Sequence, residues 1–140
     1  MECQRAGYEE FCSGMGTWDT YGIRIKWTDP VAPGDITVWR DYPILVKVCV
    51  EVTPASGIKP DMIMANCCTN MKTFCNPCGT WKDIPLLYQN ESSSEGDYGL
   101  CRYVYSMSLT PTVDDKFKLT FNITWRNIII WANNALQNCI

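Results

Sequence analysis

From Lys116 to Arg126 the chain reads KFKLTFNITWR, and this alternation limits the possible fold more than any other stretch. Phe117, Leu119, Phe121, Ile123 and Trp125 share one parity, and Lys116, Lys118, Thr120, Asn122, Thr124 and Arg126 share the other. Successive side chains of a strand point to opposite faces, whereas a helix would scatter both sets around its circumference. The spacing predicts one long strand with an apolar face and a wet face, in a fold that buries the whole stripe.

Other segments carry the same signal. In Pro43–Val52, Ile44, Val46, Val48, Val50 and Val52 oppose Lys47, Cys49 and Glu51, and so many β-branched residues on one parity favour strand over helix. Gly22–Thr28 alternates with Ile23, Ile25 and Trp27 inward. Asp35–Arg40 places Ile36 and Val38 inward, and Leu100–Thr110 places Tyr103, Tyr105, Met107 and Leu109 on one parity. Ile84–Gln89 reads as a strand whose Pro85 puts it at a sheet edge. Asp61–Asn66 fits a strand or a helical turn, and Asn127–Ile140 fits a last strand or a short helix. Residues 67–80 read as a cysteine-dense loop, Asn90–Gly99 as an exposed loop, and residues 1–21 as a loop pinned by disulfides. Asp29-Pro30, Pro33-Gly34, Asp41-Tyr42-Pro43 and Pro111–Asp115 supply turns. Roughly six to eight short strands with little helix predict an all-β protein: one domain over residues 1–140, an antiparallel two-sheet sandwich or cup of immunoglobulin-like type.

Nine cysteines, Cys3, Cys12, Cys49, Cys67, Cys68, Cys75, Cys78, Cys101 and Cys139, predict an oxidising compartment and a disulfide-stapled fold. Cys3 with Cys139 would tie the termini together. The odd number leaves one cysteine free or available for a disulfide-linked dimer. Two sequons, Asn90-Glu-Ser and Asn122-Ile-Thr, agree with secretion, and Asn122 on the wet parity would let a glycan project into water. The chain starts at Met1 without a charged and apolar leader, so a secreted form is read as one whose signal peptide has been removed. The expected location is extracellular or the endolysosomal lumen.

Composition excludes several chemistries. No histidine is present, which removes Ser-His-Asp and Cys-His nucleophiles, histidine bases and histidine metal ligands. Asp114-Asp115 and Glu9-Glu10 read as solvated acids rather than a paired-carboxylate site. A net charge of −3 without a basic stripe argues against nucleic acid. Cys75-Asn-Pro-Cys78 has redox C-x-x-C spacing, but no strand-to-helix context surrounds it, so two half-cystines in a stapled loop fit better. Cys67, Cys68, Cys75 and Cys78 lack the regular spacing of a four-thiolate zinc site. The residues call for no catalytic centre, no metal and no cofactor.

Three segments resemble one family. Asp29-Pro30-Val-Ala-Pro33-Gly34-Asp-Ile-Thr-Val38, Trp81-Lys-Asp-Ile84-Pro85 and Tyr98-Gly99-Leu100-Cys101 are similar, in that order, to stretches of ganglioside-activator proteins and related lipid binders of the ML lipid-recognition family. Together they cover about a third of the chain. The chain departs from the family in ending one residue after Cys139, in its short connection between Val38 and Pro43, and in the unplaced Cys67-Cys68 and Cys75-x-x-Cys78. The resemblance implies a secreted β-cup that holds a lipid between two sheets. Trp27, Val38, Val48, Val50, Tyr105, Phe117, Leu119, Phe121, Ile123 and Trp125 would line that cavity, with a mouth near Trp81, Leu86 and Leu87.

Two functions are therefore expected as alternatives. One is non-enzymatic binding or transfer of a lipid or other apolar small molecule. The other is recognition of a protein, such as a cell-surface protein, by a secreted or viral sandwich with a packed core. A co-purified apolar ligand would favour the first, and an exposed aromatic patch the second.

Overall fold

The computed structural model describes residues 22–32, 34–93 and 101–132, and only the backbone of residues 90–93 and 101. Expectations for the segment 1–21, for the Cys3–Cys139 link, for Cys12, for the Asn90 side chain, for Tyr98–Leu100 and for the tail beyond Ala132 lie outside the described residues. Nine strands form among those described: β1 (Ile23–Asp29), β2 (Gly34–Val38), β3 (Ile44–Val52), β4 (Ile63–Thr69), β5 (Lys82–Pro85), β6 (Leu87–Ser93), β7 (Cys101–Leu109), β8 (Asp115–Trp125) and β9 (Ile128–Trp131). One sheet runs β1-β3-β7-β6 and the other β2-β8-β4-β5, with β9 also paired to β8. All pairings are antiparallel. The expected all-β sandwich is what the chain forms.

The organising stretch is β8. Leu119, Phe121 and Ile123 are 0% exposed and Phe117 2%, and they share one core with Val46, Val48 and Val50 at 0%. A side chain with no accessible surface has no room for water on any side, so these residues meet across a filled space. Apolar packing joins the two sheets.

The loop from β3 to β4, residues 53–62, crosses one end of the sandwich in two short 3-10 turns. The hydroxyl of Tyr103 donates to the Ile58 carbonyl at 2.7 Å and that of Tyr105 to the Pro60 carbonyl at 2.6 Å. Two core tyrosines thus pin the loop with their polar tips, which buried tyrosines need in order to stay hydrogen-bonded. At the other end Asp41 N–H donates to the Pro111 carbonyl and Thr112 N–H to the Lys72 carbonyl, both at 3.0 Å. Three loops therefore meet there.

Several local expectations are corrected. Trp27 does not face inward: the register shifts between Ile25 and Trp27, so Trp27 pairs with Cys49 and Thr28 takes the inward place. A bulge inserts one residue and reverses the parity beyond it. Ile84–Gln89 is not one strand. β5 ends at Pro85 in one sheet, Leu86 N–H donates to the Ala65 carbonyl at 2.8 Å, and β6 begins at Leu87 in the other sheet. β5 does lie at an edge, where Pro85 costs no ladder bond. The expected loops are also shorter: β4 runs through Cys67 and Cys68 to Thr69, and β6 reaches Ser93. Asp61–Asn66 divides between both expectations, with Asp61 and Met62 in the second 3-10 turn and Ile63–Asn66 in β4, and within the last segment Ile128–Trp131 forms β9.

The wet face of β8 is only partly wet, since Thr120 and Asn122 are each 2% exposed. Trp81 packs with Cys68 and Trp131 on that outer side, and Trp131 pairs with Asn122. The opposite sheet also buries polar groups outside the core. Glu51 is 0% exposed, and its Oε1 accepts from Arg24 Nε at 2.9 Å while Oε2 accepts from Arg102 Nε at 3.1 Å. The arginines sit directly across from Glu51 on β1 and β7. A buried carboxylate persists because both of its oxygens find charged donors.

Stapling is corrected at three positions. Among the described residues Cys49, Cys67 and Cys75 form no disulfide, the first two being buried and the third exposed. Cys68 and Cys78 are disulfide-bonded. Cys67 faces the core with Ala65, whereas Cys68 belongs to the outer cluster with Trp81. Adjacent strand residues point to opposite faces, so these four cysteines do not converge on a zinc ion. Among the described residues no group of three or more metal-binding side chains lies together.

Candidate functional site

The crossing at Leu86 creates the feature best suited to hold a ligand. β6 begins at Leu87, opposite Ser106, so it leaves Met107–Leu109 of β7 uncovered on that side. β5 lies in the other sheet, and the two edges part around this stretch. Ile84 and Met107 are half-buried against the core, and Leu109 belongs to it. The core therefore opens sideways between the sheet edges.

Loop residues 73–76 form the outer wall. Thr73 and Asn76 exchange backbone hydrogen bonds of 3.0 and 3.3 Å around Phe74 and Cys75. Asn76, itself 5% exposed, fixes this turn: its Nδ2 donates to the carbonyls of Met71 (3.1 Å) and Thr80 (2.9 Å), and its Oδ1 accepts from Thr80 Oγ1 (3.0 Å). Every polar function of a buried amide is thereby used, which makes the turn a rigid support. It holds Phe74 at 90% exposure.

Between these walls lies a groove of about 440 Å³, lined chiefly by Phe74, Ile84, Pro85, Leu87, Met107 and Leu109. That volume falls within the range of small-molecule sites, roughly 300–1,000 Å³. Lys82 and Ser108 supply polar side chains to its lining, and Cys75 also borders it. Lys82 Nζ donates to the Cys75 carbonyl at 3.3 Å.

The sequence-predicted lining residues distribute unevenly. Val38, Val48, Val50, Tyr105, Phe117, Leu119, Phe121, Ile123 and Trp125 are brought together, but as packed core. Burial and the neighbouring Tyr103, Tyr88 and Asp61 push the Tyr105 phenol well above its usual range. Trp27 lies on the outer face, Trp81 is buried in the outer cluster, and Leu86 is buried in the core. Of the whole set, Leu87 alone lines the groove, 59% exposed. Phe74, Lys82, Ile84, Met107 and Leu109 were missed as site residues. Pro85, a strand breaker with apolar neighbours on both sides, marks a break beside Ile84, and nothing in the sequence signals Phe74, Lys82, Met107 or Leu109.

The candidate modification site Asn122 is also placed differently. Its Oδ1 accepts from Asn66 Nδ2 and its Nδ2 donates to Asp83 Oδ1, each at 3.0 Å. The nitrogen that would carry a glycan is thus buried and bonded.

A second concavity, about 580 Å³, lies at the turn between β2 and β3, bordered by Trp39, Arg40, Tyr42 and Asp114. Trp39 is 59% and Tyr42 71% exposed. Tyr42 N–H donates to the Trp39 carbonyl at 3.0 Å and Arg40 N–H to Asp114 Oδ1 at 2.6 Å, so the turn is anchored.

No protein-family model and no curated protein sequence matches this chain.

Proposed function

We propose that the protein is a secreted, non-enzymatic binding protein that takes an apolar molecule in the groove between its sheet edges. The observation carrying this reading is that groove: apolar side chains continuous with the core, left uncovered where β6 begins too late to shield Met107 and Leu109. The likeness to ML lipid-recognition proteins supports the same chemistry. The ligand enters at the edge, because the space between the sheets is filled.

Each methylene taken from water contributes about 0.8 kcal/mol. Ten of them give about 8 kcal/mol before an association cost of at least about 4 kcal/mol. Affinity is therefore weaker than micromolar. Titration of a fluorescent fatty-acid analogue at high protein concentration tests the reading. Saturable binding that Leu87→Asp abolishes supports it, and no saturable binding by folded protein contradicts it.

A second reading is recognition of a protein partner. It is favoured by the filled core and by the Trp39, Arg40 and Tyr42 cluster, residue types that dominate interface energetics. Under that reading, Tyr42→Ala and Trp39→Ala lower attachment to the partner and leave apolar-probe binding unchanged.

A further inference from the structure

We infer that the occupant of the groove is a single-chain, monoanionic amphiphile, a fatty carboxylate, with its head group on Lys82. This rests on the groove being a ligand site, and it adds the chemistry of the ligand.

Three observations carry it. Lys82 is the single residue with a formal charge among those lining the groove. It pairs with Thr69, and Ile84 with Cys67, so Lys82 and Ile84 share the core-facing parity of β5. A lysine at the end of an apolar row points its ammonium at the rim of the apolar surface.

That ammonium is available. Of its three donors, one reaches the Cys75 carbonyl at 3.3 Å. Among the described residues no carboxylate lies within ion-pair distance of it. The neighbouring Asp83 sits on the other parity, and its Oδ1 accepts from Asn122. One uncompensated cation at the edge of an apolar groove complements one anion at the end of an apolar chain.

The groove's size suits a single chain. At roughly 30 Å³ per water-sized group, about 440 Å³ holds on the order of fifteen heavy atoms. That accommodates one acyl chain.

Lys82 is exposed, so the ion pair gives selectivity more than affinity. A solvent-exposed pair corresponds to about a two- to five-fold preference. The experiment titrates the protein with dodecanoate and with dodecanol, in wild type and in Lys82→Gln, by calorimetry. The expected result is two- to five-fold tighter binding of dodecanoate by wild type, with the ratio falling to one in Lys82→Gln and in high salt. Dodecanol binds both proteins equally. Equal affinities in wild type, or a preference that survives Lys82→Gln, overturn the inference and leave the apolar groove standing. If neither compound binds, the groove reading falls and takes this inference with it. Because Lys82 is exposed, the variant retains the fold, and its thermal melt verifies this.

Discussion

Asn122 Nδ2 donates to Asp83 Oδ1 at 3.0 Å, which ties the edge strand β5 to the central strand β8 across the intervening β4. Asn66 completes the chain by donating to Asn122 Oδ1. Asp83 lies between Lys82 and Ile84, so this bond steadies one wall of the groove. Asp83→Ala leaves a buried amide without an acceptor, which costs about 1–3 kcal/mol and is read as a lower denaturant midpoint. For the same reason, peptide mapping of protein from a glycosylating host is expected to show Asn122 unmodified.

Among the described residues, the three cysteines outside any disulfide differ in access. Cys75 is exposed, whereas Cys49 and Cys67 are buried. Burial and the nearby Asp83 push the Cys67 thiol far above its usual range, and thiol reagents attack the thiolate. In native protein a maleimide is expected to label Cys75 promptly, and Cys49 and Cys67 only after denaturation. Any disulfide-linked dimer seen on a non-reducing gel should disappear in Cys75→Ser.

Stability should fall in alkali. The Cys67 thiol and the Tyr105 phenol both have folded pKa values raised by burial from 9.0 and 10.0. Above these unfolded values the unfolded chain releases protons that the native chain keeps, so rising pH favours unfolding. Each group contributes stability that is complete below its unfolded pKa and declines as pH climbs toward its folded pKa. The slope is at most about 1.4 kcal/mol per pH unit for each group. Thermal melts between pH 8 and 11 should show this decline, with a shallower slope in Tyr105→Phe.

The strands were legible where one face is dry and the other wet. The five apolar side chains of β8 and the valines of β3 make that contrast plain, and both strands form within a residue or two of their expected bounds. Three things were hidden, each for a physical reason. The bulge near Lys26 reverses Trp27, and no residue there signals a register shift. The crossing at Leu86 divides one apolar run between two sheets, a tertiary event that parity along the chain cannot reveal. Asn122 reads as wet because it is polar, yet its bonds to Asn66 and Asp83 let it be buried beside Trp131. The groove was hidden for the second of these reasons: it exists because β5 and β6 belong to different sheets. Leu87 was identified as a mouth residue, and the lining expected between the sheets proved to be core.

Methyl NMR during titration with dodecanol tests the central claim most directly, because it separates an edge groove from a cavity between the sheets. The expected result is saturable shift changes at the methyls of Ile84, Leu87, Met107 and Leu109, with Val48, Val50, Leu119 and Ile123 unmoved. Shift changes concentrated on Leu119, Ile123 and the β3 valines would contradict the account, since they would mean that the sheets part to admit the ligand. The absence of any saturable change would contradict it as well.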